Sequence, residues 1–160
     1  MLLQLGHEPF RLETFLLFLF KNKLSCGLQP FPLNVIHDCL IKDKKTHEYL
    51  GCSRLEYIKW LESNTKGFTI DNYGKVWHID HVIPLSKFDL TNKDDIELAF
   101  NWRNTMPLSA KENLTKNAKI VVSQIKEHYE LLEKYHKDNN VPLPHKFVNL
   151  YARYLAAGNP

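Results

Sequence analysis

A carboxylate and two imidazoles fall within the four residues 78–81 of the stretch Trp77-His78-Ile79-Asp80-His81-Val82-Ile83-Pro84-Leu85-Ser86. Side chains alternate along an extended chain, so His78 and Asp80 share one face and Ile79 takes the other. Apolar residues flank the cluster, and burying such polar groups is expensive unless they are paired or hold a metal. A carboxylate oxygen suits a hard divalent cation, and an imidazole of ordinary pKa accepts a proton near neutral pH. These residue types point to metal-assisted acid–base chemistry, although His-x-Asp-His alone is a pattern that chance often supplies.

A second polar cluster follows: Asn101-Trp102-Arg103-Asn104-Thr105-Met106-Pro107-Leu108, then Glu112-Asn113-Leu114-Thr115-Lys116. Alone, Asn104 and Asn113 read as turn and capping residues, the commonest uses of asparagine. Arg103, Lys111, Lys116 and Lys119 lie beside the cluster, where contact with phosphate is one reading and a solvated basic face the other.

Together and in this order the two clusters resemble the HNH family of nucleases. That family carries Asp-His on a β-hairpin, Asn on a loop, and a final His or Asn on a short helix. Its frequent wording is Asn-Leu-x-Pro-Leu, then four residues, His or Asn, two residues, and Lys. Asn104, Pro107, Leu108, Asn113 and Lys116 fall at those offsets without a gap. Upstream, Tyr49-Leu50-Gly51-Cys52-Ser53 and Asp71-Asn72-Tyr73-Gly74 are similar to an HNH subgroup common in phages and large DNA viruses. The resemblance spans residues 45–120 and leaves both ends of the chain unmatched.

The resemblance implies a role for each position. Asp80 would be a metal ligand and Asn113 a second, in the place many members give to His. His81 would be the general base that deprotonates the attacking water, and Asn104 would brace the loop that orients it. His78 would contact phosphate or the outer shell of the metal. One carboxylate and one amide leave a Mg²⁺ or Mn²⁺ ion open to water and phosphate oxygens, and a histidine base works near neutral pH. The implied products are a 5′-phosphate and a 3′-hydroxyl. Many HNH proteins also bind a structural Zn²⁺ through two Cys pairs. Here the downstream positions are Ser109 and Glu112 and no upstream CxxC exists, so no structural zinc is expected.

The elements that position these residues read as follows. Ser53-Arg54-Leu55-Glu56 is a capping-box start, and Leu55, Ile58 and Leu61 give its helix an apolar face. Asp71 to Gly74 is a turn, and 75–79 and 82–85 are β-prone runs that read as a hairpin. Helices are expected over 94–100 and 109–116, then a long amphipathic one over 117–137 with Val121, Ile125, Leu132 and Tyr135 in its stripe. Phe147, Leu150, Tyr151 and Tyr154 mark a last helix, while 11–23 and 33–41 read as the first two. Trp77, Trp102, Phe88 and Phe100 read as packing around the hairpin, and the scattered histidines, His128 and His136 among them, as no ligands.

The 160 residues are 44% hydrophobic and 24% charged, an ordinary globular composition, and the net charge of +3 permits a polyanionic partner without requiring one. Cys26, Cys39 and Cys52 form no CxxC pair and suit a reducing compartment. The apolar run 14–20 is too short to span a bilayer and lacks the flanks of a signal peptide. The expectation is a soluble intracellular protein, in host cytoplasm or nucleus if viral, with no membrane partner.

The reading is an α+β chain: an HNH (ββα-metal) hairpin and helix embedded in a mostly helical single domain. Its segments are an N-terminal helical part over 1–44, the core over 45–120 and a C-terminal helical extension over 121–160. The expected activity is divalent-metal-dependent hydrolysis of duplex DNA, with chemistry that would also serve RNA. The alternative is a non-catalytic nucleic-acid-binding module that keeps the fold.

Overall fold

The structure, a computed structural model, describes residues 46–156. The described residues from His47 onward belong to one compact unit. The helices expected over 11–23 and 33–41, with Cys26 and Cys39, lie outside the described residues. Residues 121–156 belong to the same unit as the segment before them.

The described chain is mixed: six helices around one small antiparallel sheet, an α+β arrangement. In order these are α1 (Thr46–Leu50), α2 (Arg54–Glu62), β1 (Trp77–His81), α3 (Lys93–Phe100), β2 (Thr105–Ser109), α4 (Ala110–Lys116), α5 (Val122–Asp138) and α6 (His145–Ala156). Single 3₁₀ turns occupy Ile70–Asn72, Leu85–Lys87 and Trp102–Asn104. No helix of the described residues is long and apolar enough to cross a membrane.

The capping box at Ser53 forms as the sequence implies: the Ser53 N–H donates to the Glu56 carboxylate at 2.8 Å, and the Glu56 N–H to the Ser53 hydroxyl at 3.3 Å. The buried face of α2 differs from the expected one. Leu55 is 63% exposed, and Tyr57, Trp60 and Leu61 point inward. Positions i, i+3 and i+4 share a helix face, and two aromatic rings bring more apolar area to it than Leu55 and Ile58 do. The Trp60 ring meets Trp102, His128 and Tyr135 edge-on. Its Nε1–H donates to the Thr105 carbonyl, and the Tyr57 hydroxyl to Thr105 Oγ1. So α2 buttresses the start of β2.

The sheet corrects the expected hairpin. Residues 82–85 form a bend and the start of a 3₁₀ turn, not a strand. The partner of β1 is β2, and α3 lies in the connection between them. Trp77 pairs with Ser109, Ile79 with Pro107, Asp80 with Met106 and His81 with Thr105. A β-prone run of Val82 and Ile83 reads as strand by composition, but both side chains are fully buried beyond the end of the ladder.

Entry to β1 is fixed by Trp77, whose ring stacks on Phe68 and whose Nε1–H donates to the Thr69 carbonyl at 2.8 Å. Helix α4 starts directly after β2 on a capping box between Ser109 and Glu112. Asn117, at φ +48°, ends α4, so α5 begins at Val122, later than the periodicity suggests. Ile125 and Leu132 are buried in its stripe together with His128 and His136. On α6, Phe147, Leu150 and Tyr151 are buried.

Candidate active site

The sequence cluster lies where β1, β2 and α4 meet. Asp80 is fully buried, with Lys116 on the last turn of α4 as its counter-charge: the ammonium stands 2.7 Å from Asp80 Oδ2. The same ammonium donates to the His81 carbonyl at 2.7 Å. Two oxygens, one carrying a full charge and one a backbone dipole, therefore converge on a single buried cation. Burial pushes Lys116 down to about 8, while the carboxylate beside it works in the opposite direction and favours the charged form.

Lys116 is buried against Asp80, where the sequence leaves a phosphate contact and a solvated basic face as its two readings. Its side chain is 1% exposed, and Lys116 is the one buried residue of α4. Asn113 precedes Lys116 by three residues and so shares its helix face. Asn113 is half-buried, and among the described residues its side-chain amide makes no hydrogen bond.

His81 takes a different neighbour from Asp80. Its imidazole is 1% exposed and meets the Phe100 ring of α3 edge-on, centroids 6.1 Å apart. Adjacent strand residues project to opposite faces, and the chain bends at Val82 and Ile83 immediately after His81. The groups brought together at the ammonium are thus the Asp80 carboxylate and the His81 carbonyl, with Asn113 one turn away. The His81 imidazole lies with Phe100.

Asn104 holds that bend. Its Oδ1 accepts from the Ile83 N–H at 2.9 Å, and its Nδ2 donates to the carbonyls of Ile83 and Ala99 at 3.0 and 3.1 Å. Its backbone carbonyl accepts from the Val82 N–H, extending the ladder by one bond. A single buried amide thus ties the segment after His81 to the end of α3 and the start of β2.

The remaining candidates separate. His78 is half-buried on the Asp80 face of β1 and hydrogen-bonds through Nε2 to the Gly74 carbonyl at 3.3 Å. Lys111, on the first turn of α4, and Lys119, beyond its end, are exposed. Arg103 turns the other way, toward α5 and α6: its guanidinium covers Trp102 at 4.4 Å and donates through Nε to His136 at 3.0 Å. It is packing and hydrogen-bonding inside the fold, not presented as a phosphate contact.

Sequence reasoning missed the clamp on this loop. The Arg103 carbonyl accepts from His128 Nε2–H at 2.7 Å and from the Tyr151 hydroxyl at 2.6 Å. Burial pushes His128 down to about 4, keeping it neutral, and also lowers His136. The signal available was position: both histidines fall on the apolar stripe of α5. Missed too was Gly51, which has φ +74° and lies so close to the Asn101 side chain that a Cβ there would stand 2.4 Å from Asn101 Nδ2.

Among the described residues no three His, Cys, Asp or Glu side chains gather into a metal cluster. The donor set at Asp80 is instead all oxygen, and it already takes a cation, the Lys116 ammonium. That chemistry fits a hard divalent ion with most of its coordination left to water or a ligand. Ser109 and Glu112 form the cap of α4, each side chain accepting from the other's backbone N–H.

No protein-family profile matches the chain, and no solved structure matches it. It is similar to two proteins of Acanthamoeba polyphaga mimivirus. It is 42% identical over 99 residues to the one named uncharacterized protein L426, which covers 61% of this chain and 44% of that protein. It is 34% identical over 96 residues to uncharacterized protein L246, which covers 59% of this chain and 42% of that protein. The chain thus spans less than half the length of these relatives.

Proposed function

We propose that residues 77–116 form the core of a divalent-metal-dependent endonuclease of the HNH (ββα-metal) kind, hydrolysing phosphodiester bonds of DNA. The observation that carries the reading is the buried cation seat made by Asp80 and the His81 carbonyl, with Asn113 a turn away on α4. Asp80 and Asn113 would hold Mg²⁺ or Mn²⁺. When bound, that ion supplies charge stabilisation at the phosphate and the leaving oxygen.

The chain's own residues supply the rest. His81 takes a proton from the attacking water through an imidazole nitrogen. The water oxygen bonds to phosphorus as the bond to the 3′ oxygen breaks. That oxygen leaves with its electron pair and is protonated by solvent, giving a 5′-phosphate and a 3′-hydroxyl. Asn104 fixes the backbone just beyond His81 and so sets the direction of the imidazole. His78, on the Asp80 face, with Lys111 and Lys119, would touch phosphates. Duplex DNA is the expected substrate, and RNA would offer the same bond.

One observation favours the second reading, a nucleic-acid-binding module without catalysis. Asp80 is neutralised inside the fold and the His81 ring is covered by its surroundings. Supercoiled plasmid and a matched RNA, each incubated with Mg²⁺ or Mn²⁺ and with EDTA, separate the two. Metal-dependent nicks ending in 5′-phosphate support the enzyme. DNA bound and left whole with every divalent ion supports the module.

A further inference from the structure

The Lys116 ammonium occupies the position on Asp80 that a metal ligand must offer to a metal. Resting on the nuclease reading above, we propose that Lys116 is a built-in counter-cation that makes divalent-metal binding conditional on nucleic acid. Without a polyanion, Asp80 and Lys116 form a neutral buried pair, each within 2.7 Å of its partner. Adding a divalent ion to Asp80 would then place two cationic groups around one carboxylate, out of reach of solvent screening.

A phosphate group changes that balance. Its oxygens give the displaced ammonium a new acceptor and give the divalent ion further ligands. Lys116 sits at the C-terminal turn of α4, on a long stem, so its ammonium can leave Asp80 without moving the helix backbone. The His81 carbonyl, which shares the ammonium, passes with Asp80 to the incoming ion as an oxygen donor. Lys116 is therefore a positioning residue in the empty site and a phosphate-facing one in the filled site.

The test is Mn²⁺ affinity, read by electron paramagnetic resonance or calorimetry, with and without a short phosphorothioate DNA duplex. In the wild type, the duplex is expected to tighten Mn²⁺ binding by about tenfold or more, a coupling within the usual allosteric range. Lys116→Gln and Lys116→Met are expected to bind Mn²⁺ more tightly than wild type without DNA and to lose most of the DNA dependence. The wild-type comparison stands even if a variant does not fold. Wild-type affinity that ignores DNA, or folded variants that bind Mn²⁺ no more tightly, overturns the gating role and leaves the nuclease reading in place. Absence of Mn²⁺ binding by any of the proteins, with or without DNA, overturns both.

Discussion

The Lys116 ammonium stands 2.7 Å from the Asp80 carboxylate, and both side chains are sealed from solvent. This pair joins α4 to β1 across the sheet and determines how the site tolerates change. A buried ion pair adds little over a well-packed apolar pair, because both charges lose their hydration. Removing one partner is another matter. Asp80→Asn is expected to cost about 3–5 kcal/mol in urea unfolding, since it strands the ammonium. Asp80→Asn combined with Lys116→Met should recover at least half of that loss. A double variant less stable than Asp80→Asn alone would contradict the pairing.

Asn104 makes three side-chain hydrogen bonds at a fully buried position. Asn104→Ala leaves the Ile83 N–H and two carbonyls without partners, for an expected loss of about 2–4 kcal/mol. Chemical denaturation measures it directly. A loss within the scatter of ordinary surface substitutions would show that the bend after His81 is held by something else.

Acid should weaken the clamp on the Arg103 carbonyl. His128 is held neutral by burial, its pKa pushed down to about 4 from an ordinary 6.5, and His136 is lowered as well. The unfolded chain therefore takes up protons first as pH falls. The stability His128 contributes is complete above about pH 6.5 and is lost as pH drops toward 4, and His136 adds a loss of the same sign. For His128 the full loss is about 3 kcal/mol, from 1.36 kcal/mol per pH unit. His128→Gln keeps an N–H for the Arg103 carbonyl and cannot titrate. Its unfolding free energy should fall less between pH 7 and pH 4.5 than the wild type's, and an equal fall would remove His128 from the account.

Two glycines at similar backbone angles should respond differently to alanine. Gly51 has φ +74° and an added Cβ would lie 2.4 Å from Asn101 Nδ2, whereas Gly67 has φ +70° with nothing within 4 Å. Gly67→Ala carries only the left-handed backbone cost, about 1 kcal/mol. Gly51→Ala adds displacement of Asn101, whose Oδ1 accepts from the Arg103 N–H. Thermal denaturation should show Gly51→Ala as clearly the less stable, and equal melting temperatures would argue against the contact.

The capping box at Ser53, the α3 helix and the amphipathic α5 and α6 are all legible from local pattern, because their determinants are close in sequence. The second strand is not. Met106, Pro107 and Leu108 carry a proline and follow a polar turn, and only their pairing with β1, across the intervening α3, makes them a strand. The same limit governs the site. Asp80, His81, Asn104, Asn113 and Lys116 stand out by spacing, but the bonds Asn104 makes to Ile83 and Ala99 do not. The ion pair between Asp80 and Lys116 joins residues far apart in sequence. A lysine at a helix end looks solvated until the sheet beneath it is known. Arg103 likewise reads as a surface base until α5 and α6 close over it.

The central claim is that His81 serves as the base of a metal-dependent hydrolysis. Its most direct test is the rate at which wild type and His81→Ala convert supercoiled plasmid to the nicked form in Mg²⁺ or Mn²⁺, with both proteins shown to be folded. A general base contributes roughly 10²–10⁴-fold, so the variant should slow by about a hundredfold or more, with 5′-phosphate ends in the residual product. A His81→Ala protein that nicks as fast as wild type, or a wild type that leaves the plasmid supercoiled with either ion, would contradict the claim.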